Sequence, residues 1–226
     1  AFFVDVLPRP AAPGPPSKIA LFDPQGETGK LLDGTNVGYT RVDADTDLAK
    51  FDLLIVGKNA VTLDGPAPDI ARVHDGLKVL LFEQSPEVLE QRFGFRIATY
   101  GLRQVFKRLP DHPILAGLDE EHLQDWRGEA TLVPSYAEYP PDPGFGSPAD
   151  RWCGIPVTRL WRCGNRGNVA SVLIEKPARG DFLPILDGGY SLQYTPLVEY
   201  REGKGRVLFC QLDLTGRTEE DPAAER

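Results

Sequence analysis

The sequence predicts an α/β domain: a doubly wound, mostly parallel sheet with helices on both faces and an added β-hairpin region. Three observations predict it. Three short, continuous apolar runs, "KIALFD" (18–23), "DLLIVG" (52–57) and "KVLLFEQ" (78–84), are separated by stretches of helical character. Continuous apolar strands of this kind are buried on both faces, and helices between them imply right-handed crossovers and parallel pairing. The second half changes character, with Gly-rich turns between strand-like runs.

Taken in order, "GETGKLLDG" (26–34) reads as a turn and a short helix, and "YTRVDA" (39–44) as a strand. "DTDLAKF" (45–51) reads as a helix with an Asp cap, and "PDIARVHDG" (68–76) as a helix closed by Gly76. "PEVLEQRFG" (86–94) reads as a helix with Pro86 at its first position. Residues 103–128 mix helix and loop, and 134–152 form a long Pro/Gly-rich loop. Two hairpins follow: "VTRLWRC" with "NVASVLIE" around "GNRG", and "PLVEYR" with "GRVLFCQLDL" around "EGKG".

The bulk properties narrow the function classes. The 226 residues carry 41% hydrophobic and 26% charged residues, those of an ordinary globular chain. The formal net charge of -8 leaves no basic stripe to displace counterions, so no nucleic-acid partner is expected. No apolar run approaches the roughly 20 residues of a membrane span, so no membrane partner is expected either. Cys153, Cys163 and Cys210 form neither a disulfide framework nor a zinc site, although Cys153 and Cys163 could pair on adjacent strands. No metal and no cofactor is expected. Residues 1–10 read as the last strand of a preceding domain, 11–17 as a Pro-rich linker, and 217–226 as the start of a truncated helix.

Open α/β sheets bind ligands at the carboxyl ends of their strands. The residues there are Asp23 and Gln25, Lys58 and Asn59, the turn Glu83-Gln84-Ser85, and 211–215 after the last strand. At these places the chain resembles the class I glutamine amidotransferase-like superfamily, whose fold is flavodoxin-like. There a strand of the form Gly-x-Pro-Val-Leu-Gly-Ile runs into a nucleophilic Cys; here "GLKVLLF" (76–82) runs into Glu83. The family's last strand carries Gln-Phe-His-Pro-Glu; here "QLDLT" places Gln211 on the Gln, Asp213 on the His and Thr215 on the Glu. The resemblance spans about residues 18–216.

The stretches "FGFR", "HPILAGL", "DWRGEATL", "GNVASVLIEKP", "TPLVEY" and "GKGRVLFCQLDLTGR" also resemble the amidotransferase-like middle domain of large bacterial β-galactosidase-like proteins of glycoside hydrolase family 2. "FFVDVLPRP" looks like the end of the β-sandwich domain before it. That resemblance implies an extracytoplasmic parent whose glycosidase site lies on another domain, partners in the same chain or a second copy, and no catalysis here.

An amidotransferase needs a thiolate and an imidazole, and the elbow has no Cys and the last strand no His. Glu83, Asp213 and Thr215 are therefore degenerate triad positions, and no glutaminase activity is expected. Glu83 and Asp213 could instead form a carboxylate pair for glycoside or cation chemistry, or cap backbone N–H groups. Asp125, Trp126 and Arg127 in "DWRG" offer an aromatic face and a bidentate donor for a sugar, or a buried Trp with an Asp–Arg pair pinning the loop. Trp152 and Trp161, flanking the long loop, could form a sugar platform or a domain interface. Asp23, Gln25 and Gln84 complete the ligand candidates. "GETGK" (26–30) has only part of a phosphate-loop spacing. His112 reads as a turn residue, His74 as a helix-terminal residue, and His122 as the exposed side of a short helix.

Overall fold

The structure is a computed structural model that describes residues 18–132, 151–152, 155–156, 166–219 and 221–225. The expected leading strand and linker (1–17), most of the 134–152 loop, Cys153, Cys163 and Trp161 lie outside the described residues.

The apolar runs form the strands they predict: β1 (Ile19–Phe22), β3 (Leu53–Val56) and β4 (Lys78–Leu81), with β2 reduced to Thr40–Arg41. They belong to a seven-stranded sheet. Its parallel part runs β2, β1, β3, β4 and then Gly205–Cys210, so in chain order the strands lie 2-1-3-4-5, which is the flavodoxin-like order. The expected second hairpin extends it: Leu197–Glu202 pairs antiparallel with Gly205–Cys210, and Phe182–Pro184 adds the edge. Gly203 takes φ 56° in that turn, and a Cβ on Gly205 would lie 2.3 Å from the carbonyl oxygens of Val73 and Leu77. Both glycines are thus required where the hairpin approaches the 70–77 backbone.

Alternation along the strands defines two faces. Ala20, Leu54, Val79 and Val207, with Phe22, Val56, Leu81 and Phe209, build one core face. Leu21, Ile55, Leu80 and Leu208 form one cross-strand row on the opposite face, beneath the α-helix α1 (Glu27–Gly34) and residues 113–123.

The crossovers are shorter than expected. The predicted helix at 45–51 is one 3-10 turn, Leu48–Lys50, capped by Asp47, because Phe51 already leads into β3. The predicted helix at 68–76 is a 3-10 segment, Ile70–Asp75; fewer than two α-helical turns fit between the Asp69 cap and Gly76 at φ 125°. The helix opened by Pro86 continues as a π-helical segment, Val88–Arg92. "VTRLWRC", the expected partner of "NVASVLIE", lies wholly outside the described residues. Ala170–Glu175 instead pairs with Ile97–Leu102 and Tyr194–Thr195. Ile97–Leu102 is a strand that carries no sequence signal, because its mixed polarity lacks period-2 patterning.

Candidate functional site

The elbow after β4 is relaxed. A nucleophile elbow holds its residue in a strained turn. Among the described residues, the left-handed non-glycine positions are Asn36, Asn59, Asp125, Ser191 and Leu192; none is in 83–85. The Oγ of Ser85 accepts from the N–H of Val88 at 3.4 Å and so caps the start of the following helix.

Glu83 is fully buried. Its Oε1 accepts from the N–H groups of Leu214 (2.7 Å) and Thr215 (2.8 Å), and its Oε2 from the Thr215 hydroxyl at 3.0 Å. Burial pushes its carboxyl up to about 7, against the pull of the Thr215 N–H and the Lys58 ammonium. Asp213 is also fully buried. Its Oδ2 accepts from the N–H groups of Thr131 (3.0 Å) and Leu132 (3.4 Å), and its Oδ1 lies 4.0 Å from Nζ of Lys58. Burial raises its carboxyl too, despite Lys58. The Lys58 ammonium donates to the Thr131 hydroxyl. The two carboxylates hold separate hydrogen-bond donors, while the Lys58 ammonium acts on both and the Asp213 charge helps to raise Glu83. Each captures backbone N–H groups across the sheet rather than at the helix after the elbow. Neither is open to a substrate, and among the described residues no group of three His, Cys, Asp or Glu side chains could hold a metal ion.

Gln84 is buried and fully engaged. Its amide donates to the carbonyls of Gly57 (2.8 Å) and Phe82 (2.7 Å), accepts from the N–H of Val61 (3.2 Å), and its own N–H donates to Oε1 of Gln211 (2.9 Å). Asp23 closes the start of α1: its carboxylate accepts from the N–H groups of Gly26 (3.1 Å) and Gly29 (2.7 Å). That carboxylate occupies the place a phosphate would take at the "GETGK" turn. Gln25 is exposed beside it.

In "DWRG", Trp126 is only 2% exposed, and its indole N–H donates to the His122 carbonyl at 2.8 Å. No ring face is left for a sugar from solvent. The expected Asp–Arg pin exists with a different partner: Asp125 pairs with Arg103 at 2.7 Å, not with Arg127. Arg127 points outward, and its N–H donates to Asp221 at 2.8 Å. Trp152 lies on a two-residue strand whose side chains are outside the description. The Nδ1 of His112 caps the N–H of Ile114 at 3.3 Å, that of His122 accepts from the N–H of Asp119 at 2.8 Å, and His74 is exposed in the last turn of its 3-10 segment.

Two residues of this region carry no signal in the sequence. Thr131 meets Lys58 across 73 residues of chain. Arg217, 2% exposed, donates to the carbonyls of Trp126, Arg127 and Asn168 and lies 5.9 Å from the Trp126 ring centroid. A single Arg in a polar loop is indistinguishable from a solvated one until its partners are placed.

No family model matches the chain, and no curated protein matches it. Among solved structures it is similar to a Thermoplasma acidophilum protein provisionally described as a GMP synthase subunit. The TM-score is 0.48 at 12% identity, over 92% of this chain and 88% of that one. The flavodoxin-like assignment rests on the strand order and register described above.

Proposed function

We propose that this chain is a non-catalytic, degenerate glutamine amidotransferase-like domain. Its role is packing, against other domains of a multidomain, bacterial, extracytoplasmic β-galactosidase-like glycoside hydrolase or against a second copy. One observation supports this above the rest. The side chain at the nucleophile position, Glu83, is fully buried and holds three donors from residues 214 and 215. A carboxylate so engaged anchors the loop after the last strand and cannot reach a substrate carbonyl. The stretches quoted for the β-galactosidase-like resemblance support the choice of parent. No contact among the described residues favours a carbohydrate-binding module or a hydrolase built on Glu83 and Asp213.

The test is an ammonia-release assay with glutamine and a hydrolysis panel of nitrophenyl glycosides, run on the 226-residue chain. Absence of turnover is expected for both. Turnover that Glu83→Gln abolishes would overturn the reading.

A further inference from the structure

In a doubly wound sheet the central strands are covered on both faces. Among the described residues, one face of β4 and Gly205–Cys210 is covered only toward its carboxyl end, where Leu115 and Leu118 pack over it. Down β4 the side chains on this face are Phe82, Leu80 and Lys78, passing from buried through half-buried to exposed. Down the neighbouring strand Cys210, Leu208 and Arg206 follow the same gradient. Above the gradient lies an apolar groove of about 860 Å³, walled by Leu31, Leu115, Leu118, Leu214 and Ala224. Ala224 comes from α2 (Pro222–Glu225), whose first turn is capped by Asp221.

The lower end of this face is cationic. Arg201 is paired with Arg206, and Arg206 with Lys78, so three positive side chains stand in one row across three adjacent strands. Like charges directly across strands repel. Glu199, its side chain 2% exposed, offsets part of that repulsion through bonds to Arg201 (2.7 Å) and Arg206 (3.1 Å). Burial alone would raise its carboxyl, but these two guanidinium bonds prevail and lower it. Arg201 and Arg206 each remain about half exposed, at 51% and 53%. The buried carboxylate fixes two guanidinium groups while leaving donors directed outward.

We propose that this face is the seat of an amphipathic α-helix supplied by the rest of the parent polypeptide. Its apolar stripe lies on Leu80, Leu208 and the groove, and its carboxyl-terminal turn, carrying acidic side chains, lies over Arg201, Arg206 and Lys78. The inference rests on the accessory-domain reading above and names the kind of surface that reading requires. From Cys210 to Arg206 the strand descends about 13 Å, the length of about nine helical residues. A helix descending that way presents its negative dipole end to the cationic row. Charge complementarity therefore selects both the direction of the helix and the sign of its last turn.

The test uses the 226-residue chain with labelled leucine methyl groups. Sedimentation first establishes its oligomeric state. It is then titrated with a synthetic helical peptide of about four turns, with leucines at i, i+3, i+4 and i+7 and glutamates in the last turn. The expected result is a monomer in which the methyls of Leu80, Leu208 and Leu115 shift. Lys78→Glu, which leaves the partners of Glu199 in place, should weaken binding about tenfold without changing the melting temperature. No shift, or a shift that Lys78→Glu leaves untouched, overturns the proposal. So does self-association that protects the same leucines without peptide, because the occupant is then a second copy. None of these outcomes depends on the turnover assay, so the two readings fail separately.

Discussion

The Glu83 carboxylate and the Thr215 hydroxyl are hydrogen-bonded at 3.0 Å, 132 residues apart in the chain. These are the positions at which the resemblance places a nucleophile and the acidic member of its triad. In a triad the base stands between these two members; here Thr215 donates to Glu83 directly, and Asp213, at the base position, accepts from Thr131 and Leu132 instead. With two backbone N–H groups joining it, the contact ties the turn after β4 to the loop after the last strand. A catalytic relay and a structural tie make the same demand on the backbone, namely that these two strand ends stay together.

Stability should fall as pH rises through neutrality. The Glu83 carboxyl titrates near 7 in the folded chain, against 4.5 for an ordinary glutamate. Between those values the folded state binds the proton and the unfolded state does not. The favourable contribution is therefore complete below 4.5 and is lost as pH rises through about 7. It amounts to roughly 3 kcal/mol in the unfolding free energy. Asp213, also raised by burial, acts in the same direction. Urea unfolding at pH 5 and pH 8 measures the difference, and Glu83→Gln should remove most of it. Equal stability at the two pH values would count against this account.

The Lys58–Asp213 pair is buried and loosely joined at 4.0 Å. Lys58→Ala leaves a carboxylate without its cation in the interior, which should cost about 3–5 kcal/mol. Lys58→Met combined with Asp213→Asn removes both charges and should recover much of that loss. Chemical denaturation of the single and double variants closes the cycle. A double variant no better than Lys58→Ala would show that the amine–hydroxyl bond to Thr131, and not the charge pair, holds this corner.

The parallel sheet was legible because β1, β3 and β4 are continuous apolar runs, and strand ends in such sheets point to the residues that matter. Asp23, Lys58, Glu83, Gln84, Gln211 and Asp213 all lie there and all are buried. What each side chain does there was not legible. Glu83 could meet Asp213, a helix start or a loop, and the choice depends on contacts more than 80 residues away. The length of the crossover helices is not legible, because periodicity shows amphipathic character but not how many turns fit between two fixed strands. Trp126 was ambiguous because burial of one aromatic in a polar stretch is decided by a distant residue, Arg217.

Cys210 should be inert in the folded chain. It is 5% exposed, and burial pushes its thiol up to about 12. The thiolate is the reactive species, so at pH 8 alkylation mapped to Cys210 by peptide mass spectrometry should be undetectable in native buffer and complete in urea. Rapid native labelling would mean that the last strand opens locally.

Arg217 fixes the loop that Glu83 anchors at its other end. Its guanidinium donates to three carbonyls on two segments, Trp126 and Arg127 on one side and Asn168 on the other. Lysine keeps the charge but replaces a rigid planar fork with a single ammonium. Arg217→Lys therefore leaves at least one buried carbonyl without a donor, at a cost of about 1–3 kcal/mol. Arg217→Ala removes every donor and should cost more. Trp126 reports the loss directly, because the guanidinium lies beside its ring and the indole is otherwise buried. Both variants should red-shift the tryptophan emission, Arg217→Ala the further, as water reaches the ring. Emission that stays blue in a destabilised Arg217→Lys would place the loss at Asn168 instead and assign the Trp126 packing to its own bond with His122.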